Sequence, residues 1–248
     1  MIELKTSEEI KRMREAGRIC ALCMEEILSA VRPGITTKEL DDIAYDFTVK
    51  HNGVPSFLNY NGYPGSICAS VNEEIVHGIP SARKLNEGDI ISIDMGIKLH
   101  GYHSDMARTV PVGKTDPESL RLIEVTKKSF FEGLKFVREG YHINDIGIAV
   151  QKYVEAAGFS VVRDLIGHGV GRELHESPDV PNYATHRKGP ALRKGMTIAI
   201  EPMVNAGDWR VEVLDDEWTV VSADMSRSAH YENTVAVTSG DPIILTQV

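Results

Sequence analysis

Leu85-Asn86-Glu87-Gly88-Asp89-Ile90-Ile91-Ser92-Ile93-Asp94 lies over Leu192-Arg193-Lys194-Gly195-Met196-Thr197-Ile198-Ala199-Ile200-Glu201 at a constant offset of 107 residues. A leucine, a glycine and two isoleucines coincide, and Asp94 falls on Glu201. In the first copy Ile91, Ile93, Met95 and Ile97 alternate with Ser92, Asp94 and Gly96, the period of a half-buried strand. The segments ahead of the two copies repeat as well. Thr6 or Ser7 can cap a helix through about Val31, with Glu8 and Glu9 in its first turn and Pro33-Gly34 to stop it. Thr36 or Thr37 opens a second, Lys38 to about His51, ended by Asn52-Gly53. In the second half Asp116-Pro117-Glu118 starts a helix to about Val137, and another runs from about Ile143 to Ala157. The pairs Gly34–Gly53 and Gly140–Gly158 bracket matching helices at offsets of 106 and 105. The expected fold is therefore α/β (α+β): two pseudo-symmetric halves, about 1–113 and 114–248, with strands covered by helices. No Ser/Gly-rich linker separates them, so residues 1–248 are expected to form a single domain around one site.

Composition narrows the class. The chain has 248 residues, 42% hydrophobic and 25% charged, which suits a packed globular domain and argues against disorder. The net charge of −9 discourages nucleic acid or an anionic membrane as the main partner. The start, Met1-Ile2-Glu3-Leu4-Lys5-Thr6-Ser7-Glu8-Glu9, lacks the apolar stretch of a signal peptide. No apolar run approaches the roughly 20 residues that span a bilayer. Cys20, Cys23 and Cys68 suggest no disulfide framework, and a reducing, cytosolic setting is expected.

The surplus carboxylates point to the chemistry. Ile97 to Tyr102 reads as a hairpin turn, and centring it between Leu99 and His100 puts Asp94 directly opposite Asp105. Opposed residues hold their Cβ atoms ~4.5–5.5 Å apart, and like charges there destabilise a sheet unless something neutralises them. For this pair alone, a solvated outer face is an equal reading. Glu201, however, ends an apolar strand (Met196 to Ile200), and Glu232 begins another (Asn233 to Val237). Carboxylates buried at strand ends need a cation or must stay protonated. No Lys or Arg recurs beside them at a fixed spacing, so a divalent metal with hard oxygen ligands is the natural resolution. His168 sits between Gly167 and Gly169, which let backbones approach closely and aim the imidazole inward. A lone histidine is more often structural, but beside four such carboxylates a ligand is the better reading. Taken singly, His77 and His175 would be packed or surface histidines. Gly167-x-Gly169-x-Gly171 is not the dinucleotide fingerprint, no glycine-rich lysine loop for phosphates exists, and His175-Glu176 lacks the second histidine of the helical zinc-protease motif. Cys20-x-x-Cys23 lies inside a predicted helix, where burial is the default.

Asp94, Asp105, His168, Glu201 and Glu232, in that order, resemble the five metal ligands of the methionine aminopeptidases. The likeness runs over essentially all of the chain and includes Asn72 to Pro80 around His77, Gly167 to Gly171 with His175, Ile200-Glu201-Pro202-Met203, and the type I continuation Val180-Pro181-Asn182-Tyr183. It implies a compact, bacterial-style type I enzyme of pita-bread fold, with no type II insert between His168 and Glu201 and no N-terminal zinc-binding extension. It further implies two divalent ions, for which cobalt, manganese, iron and zinc would all suit the ligand set. By the resemblance, Asp105 and Glu232 bridge both ions, His168 and Glu201 complete one site, and Asp94 holds the other. His175 would donate to the scissile carbonyl or adjacent amide, His77 would contact the peptide beyond the scissile bond, and Glu201 would shuttle a proton. Tyr60, Tyr63, Cys68 and Trp218 would line the methionine pocket, with Phe57 and Leu174 beside them. The implied substrates are N-termini of newly made proteins with a free α-amine and a small second residue. The implied setting is a cytoplasmic monomer in transient contact with ribosomes, with neither nucleic acid nor membrane as partner. Two positions depart from the pattern: Asn233 where many relatives have His, and Leu165 where an aromatic or Met is common. Neither is a ligand position, so they bear on tuning of the site. Two other readings compete. One is an Xaa-Pro aminopeptidase or dipeptidase, which would commonly carry a further N-terminal domain. The other is a non-enzymatic pita-bread binding module, which would typically have lost ligands.

Overall fold

In the computed structural model, which describes residues 1–248, local sequence chemistry sets the four helices. Thr6 and Glu9 form a reciprocal capping box at the start of α1 (Ser7–Ala30), and Thr36 with Glu39 repeats it at α2 (Thr37–Lys50). Asp116 accepts the Ser119 N–H at 2.9 Å, with Pro117 following at the first helical position of α3 (Pro117–Leu134). This helix stops three residues short of the Val137 expected, because Phe136 and Val137 donate to Gly133 and Leu134, tightening the chain into turns. The fourth helix, α4, covers Ile143–Ala156.

The strands of the first half are β1 (Val54–Pro55), β2 (Cys68–Val71), β3 (Glu74–Val76), β4 (Ile90–Leu99) and β5 (Tyr102–Pro111). Those of the second are β6 (Ser160–Val161), β7 (Gly167–Gly169), β8 (Glu176–Val180), β9 (Thr197–Ile200) and β10 (Met203–Asn205). They are followed by β11 (Val211–Val213), β12 (Val220–Ser222), β13 (Ser228–His230), β14 (Glu232–Ala236) and β15 (Ile243–Ile244). The main sheet runs β1-β4-β5-β14-β9-β7-β8, with β2 also on β4 and β15 on β14. Its named pairings are antiparallel. The repeat in the sequence appears here as symmetry: β4-β5 and β9-β14 are matching pairs that meet at β5–β14, each with its helix pair behind it. Ile91, Ile93, Met95 and Ile97 pack in one core with α1 and α2, while Ile198, Ile200, Val235 and Val237 pack in another with α3 and α4. This is the pita-bread arrangement that the resemblance implied. No helix is long and apolar enough to cross a membrane.

Two expectations need correction. The β4–β5 turn is centred between His100 and Gly101, one residue later than expected, because both take positive φ (52° and 81°), the geometry that a two-residue hairpin turn requires. Asp94 therefore faces Ala107, and Asp105 faces Gly96. The aspartates still share a face, but as diagonal neighbours. The strand expected over Phe159–Leu165 shrinks to Ser160–Val161: Val162 donates to the Met203 carbonyl, and Arg163 and Asp164 then turn out to solvent.

Candidate metal and peptide site

Register assembles the site. Cys68 pairs with Asp94, Asp94 with Ala107, and Ala107 with Glu232. The β14–β9 register, which pairs Asn233 with Ile200, brings Glu201 beside Glu232 just past the end of β9. One row across the sheet thus carries three acids, on the face away from the helices, with Asp105 two residues along β5. Thr234 pins Asp105 across the seam: its Oγ1 accepts the Asp105 N–H and donates to the Asp105 carbonyl, both at 2.9 Å. Gly167 and Gly169 have the close approach expected of them. A Cβ at Gly167 would lie 2.4 Å from the Ala199 oxygen, and one at Gly169 2.5 Å from the Ser177 oxygen. His168 between them enters the same cavity, its Nε2 3.7 Å from Asp105 and 3.5 Å from Glu201.

The electrostatics fit a site for a divalent cation. Asp105 and Glu232 are 3% and 2% exposed. Burial pushes the Asp94 carboxyl up to about 7. Burial, and then the charge of neighbouring carboxylates, pushes Asp105, Glu201 and Glu232 well above the ordinary range. Burial, followed by His175, pushes His168 down to about 3, which keeps its ring neutral. One oxygen on each of Asp94, Asp105, Glu201 and Glu232 is buried without a hydrogen-bond partner. Candidate ligand atoms of Asp105, His168 and Glu232 lie within 4.8 Å of one another. Orphaned carboxylate oxygens around a neutral imidazole fit a divalent metal, which would satisfy the oxygens and offset their charge.

The acids and histidines floor a cleft of about 340 Å³. Its other wall contains every expected pocket residue: Phe57, Tyr63, Cys68 and Leu174 are buried together, with Tyr60 and Trp218 packed against them. Tyr63 meets Trp218 edge-on at 5.1 Å and donates to the Ile67 and Gly78 carbonyls, so its hydroxyl is consumed by backbone. His175 Nδ1 is 2.8 Å from the Tyr60 hydroxyl, and its ring lies 4.0 Å from that of His168. His77 holds a left-handed φ of 60° at the end of β3, half-buried, with its ring 6.5 Å from Trp218.

Three neighbours of the site were missed in the sequence. His230 is 1% exposed, both ring nitrogens lack partners, and its Nε2 is 3.7 Å from Glu201. Its position two residues before Glu232 was the available signal. Asn182 donates to the Glu201 carbonyl at 3.1 Å. Arg108, on the helix-covered face, donates to the Ala107 carbonyl at 2.8 Å and the Glu232 carbonyl at 2.6 Å. The departures lie off the cleft. Asn233 accepts from Arg108 and Thr246 behind the sheet, and Leu165 packs on the cluster of Ile75, Val76 and Met203.

Comparison with known proteins bears on these geometries. Residues 11–239 match the model of metallopeptidase family M24. The chain is 53% identical over 248 residues, all of both chains, to methionine aminopeptidase 1 of Bacillus subtilis. It superposes on a methionine aminopeptidase from Thermotoga maritima with a TM-score of 0.97 and 44% identity, covering 100% of both. An Xaa-Pro dipeptidase from Bacillus anthracis shares the fold, with a TM-score of 0.81 and 23% identity, but the chain covers only 62% of it.

Proposed function

Because the chain belongs to metallopeptidase family M24, and within it to the methionine aminopeptidases, we propose that it removes the N-terminal methionine of newly made proteins using two divalent ions held by Asp94, Asp105, His168, Glu201 and Glu232. The observation that carries this reading is the convergence of four carboxylates, each with one buried and unpartnered oxygen, plus His168, against an uncharged aromatic and sulfur-lined wall. When bound, the ions would lower the pKa of water in the cleft, so that the nucleophile is available near neutral pH.

The protein's own side chains do the rest. The register places Cys68 beside Asp94, so a substrate whose α-amine sits at the Asp94 end has its first side chain against the pocket wall. On this reading one residue is released at a time, from an unblocked amine. Tyr63, Trp218 and Cys68 suit a thioether, each aromatic or sulfur contact being worth ~0.3–1.5 kcal/mol. His175 Nδ1 lies 2.8 Å from the Tyr60 hydroxyl; in the tautomer where that hydroxyl donates, the His175 proton sits on Nε2, where it would be presented to the scissile carbonyl as negative charge develops. His77 contacts the peptide beyond the scissile bond. Glu201 would relay a proton to the leaving amine. Residues 1–248 act as one domain whose halves share the site across the β5–β14 seam. The same reading makes the enzyme a cytoplasmic monomer that meets nascent chains in transient contact with ribosomes.

The test is metal analysis beside hydrolysis of unblocked Met-Gly, Met-Xaa and Xaa-Gly peptides, with formyl-Met-Gly as control. Two ions per chain, efficient cleavage of Met followed by a small residue, and no cleavage of the formylated peptide are expected. Efficient release of Lys, or equal cleavage of the formylated peptide, would overturn the proposed specificity. Cleavage confined to Xaa-Pro peptides would favour the dipeptidase reading, and no cleavage by metal-loaded protein would favour a binding module.

A further inference from the structure

Lys5 lies outside the cleft, yet it is among the most buried cations in the protein. Its residue is 5% exposed and its side chain only 1%. Its backbone N–H donates to the Gly195 carbonyl at 2.7 Å, which fixes the chain at Lys5 against the turn before β9. Its Nζ reaches Glu176 Oε2 at 2.5 Å, while the more exposed Glu3 lies at 3.4 Å. The other Glu176 oxygen accepts the Glu173 N–H at 3.2 Å, closing the turn from Gly171 to Glu176. Two further bonds hold this turn: Gly171 donates to the Glu173 carbonyl at 3.0 Å and accepts from the His103 N–H at 2.8 Å. A Cβ at Gly171 would strike both Glu176 Oε1 (2.4 Å) and the Lys5 Cε (2.6 Å), so the latch is packed directly on the turn. His175 is the residue before Glu176.

We propose that Lys5 is a positioning residue for His175: through Glu176 it sets the turn that aims the imidazole at the scissile carbonyl. A buried ammonium on a half-buried carboxylate is costly unless the geometry is tight, and breaking it by removing one partner leaves the other charge unpaired. The turn then relaxes, and the imidazole keeps only its contacts with the Tyr60 hydroxyl and the His168 ring. The inference rests on the role given to His175 above.

The experiment is a double-mutant cycle of Lys5→Met with His175→Ala in metal-loaded enzyme, following kcat, KM and metal content for a Met-Gly peptide. Misplacing a catalytic group by about 1 Å costs on the order of 10²-fold. Lys5→Met should therefore lower kcat by roughly ten- to a hundredfold, with KM and metal content little changed. Lys5→Arg should recover most of that loss. In the His175→Ala background Lys5→Met should change kcat less than twofold, because there is nothing left to aim. Equal loss in both backgrounds, or loss of metal in proportion to activity, would overturn the proposal. Should Lys5→Met fail to fold, Glu176→Gln, which keeps the acceptor for Glu173 but removes the charge, is run through the same cycle with the same criteria. An undiminished kcat in His175→Ala alone would remove the donor role itself and the latch with it. A diminished one with an unaffected Lys5→Met would remove only the latch.

Discussion

Asp94→Asn in the metal-free protein isolates what it costs to fold acids together. Burial raises the Asp94 carboxyl from its ordinary 3.8 to about 7. Between those values the folded protein holds a proton that the unfolded chain has released. Stability from this group is therefore fully present below about pH 4 and is lost as pH rises towards 7. Each tenfold in proton affinity is worth ~1.36 kcal/mol, so about three powers of ten set a ceiling of about 4 kcal/mol. Asparagine keeps the shape and cannot ionise. The variant should exceed the parent by about 1 kcal/mol at pH 4.5 and by about 2–4 kcal/mol at pH 8, the latter for a chain of this length a Tm difference of roughly 4–16 °C. The buried histidines act the other way. His168 and His230 are pushed down to about 3, and they lose stability as pH falls below 6.5. They are common to both proteins and cancel in the difference. The assay is urea unfolding of chelator-treated parent and variant at several pH values. Parallel stability curves from pH 4.5 to 8 would refute the electrostatic reasoning. Adding a divalent metal should reverse the order, because binding stabilises the folded state by mass action and the variant has lost a ligand.

Asp105→Asn and Glu232→Gln should each abolish most hydrolysis while far-ultraviolet circular dichroism stays native; parental activity in Asp105→Asn under defined metal conditions would sink the dinuclear assignment. His175→Ala should lower kcat by about 10²–10³ with metal content intact, as removal of one transition-state donor does; metal loss in step with activity would make it a ligand or scaffold instead. Gly167→Ala must push β7 off the Ala199 carbonyl, so metal content and activity should fall together, and retention of both would contradict the close packing that aims His168.

Where local chemistry sets a feature, the sequence showed it. Thr6, Thr36 and Asp116 cap the helices that were expected to begin there, and the alternation from Ile91 to Ile97 marks which face of β4 meets the helices. The convergence of the four acids and His168 in one cleft was legible because carboxylates on or at the ends of apolar strands need a cation or must stay protonated. Turn chemistry was less legible. His100 takes a left-handed φ that disfavours most residues, so the hairpin was centred one residue early and the aspartates were placed opposite rather than diagonal. Contacts between distant segments were not legible at all. Lys5 is separated from Glu176 by 171 residues, and Thr234 from Asp105 by 129.

Arg108 shows why a search for a neutralising cation beside these acids fails. Alternation puts residues 107 and 108 on opposite faces of β5, so the guanidinium lies behind the sheet while the acids lie in front. It reaches them through the backbone instead. Its bonds to the Ala107 and Glu232 carbonyls tie β5 to β14 at the row where Asp94 and Glu232 flank Ala107. Tyr231 lies under it, the cation 4.2 Å from the ring centre. Behind the sheet it is fully engaged, so it cannot swing round to satisfy the orphaned oxygens. It offsets part of the like-charge repulsion from a distance while leaving the carboxylates free to bind metal. A lysine or arginine inserted directly among the acids would satisfy those oxygens and fill the space that a divalent metal would take. The fold thus separates two tasks that one cation cannot perform together: holding the seam, and leaving its acids open.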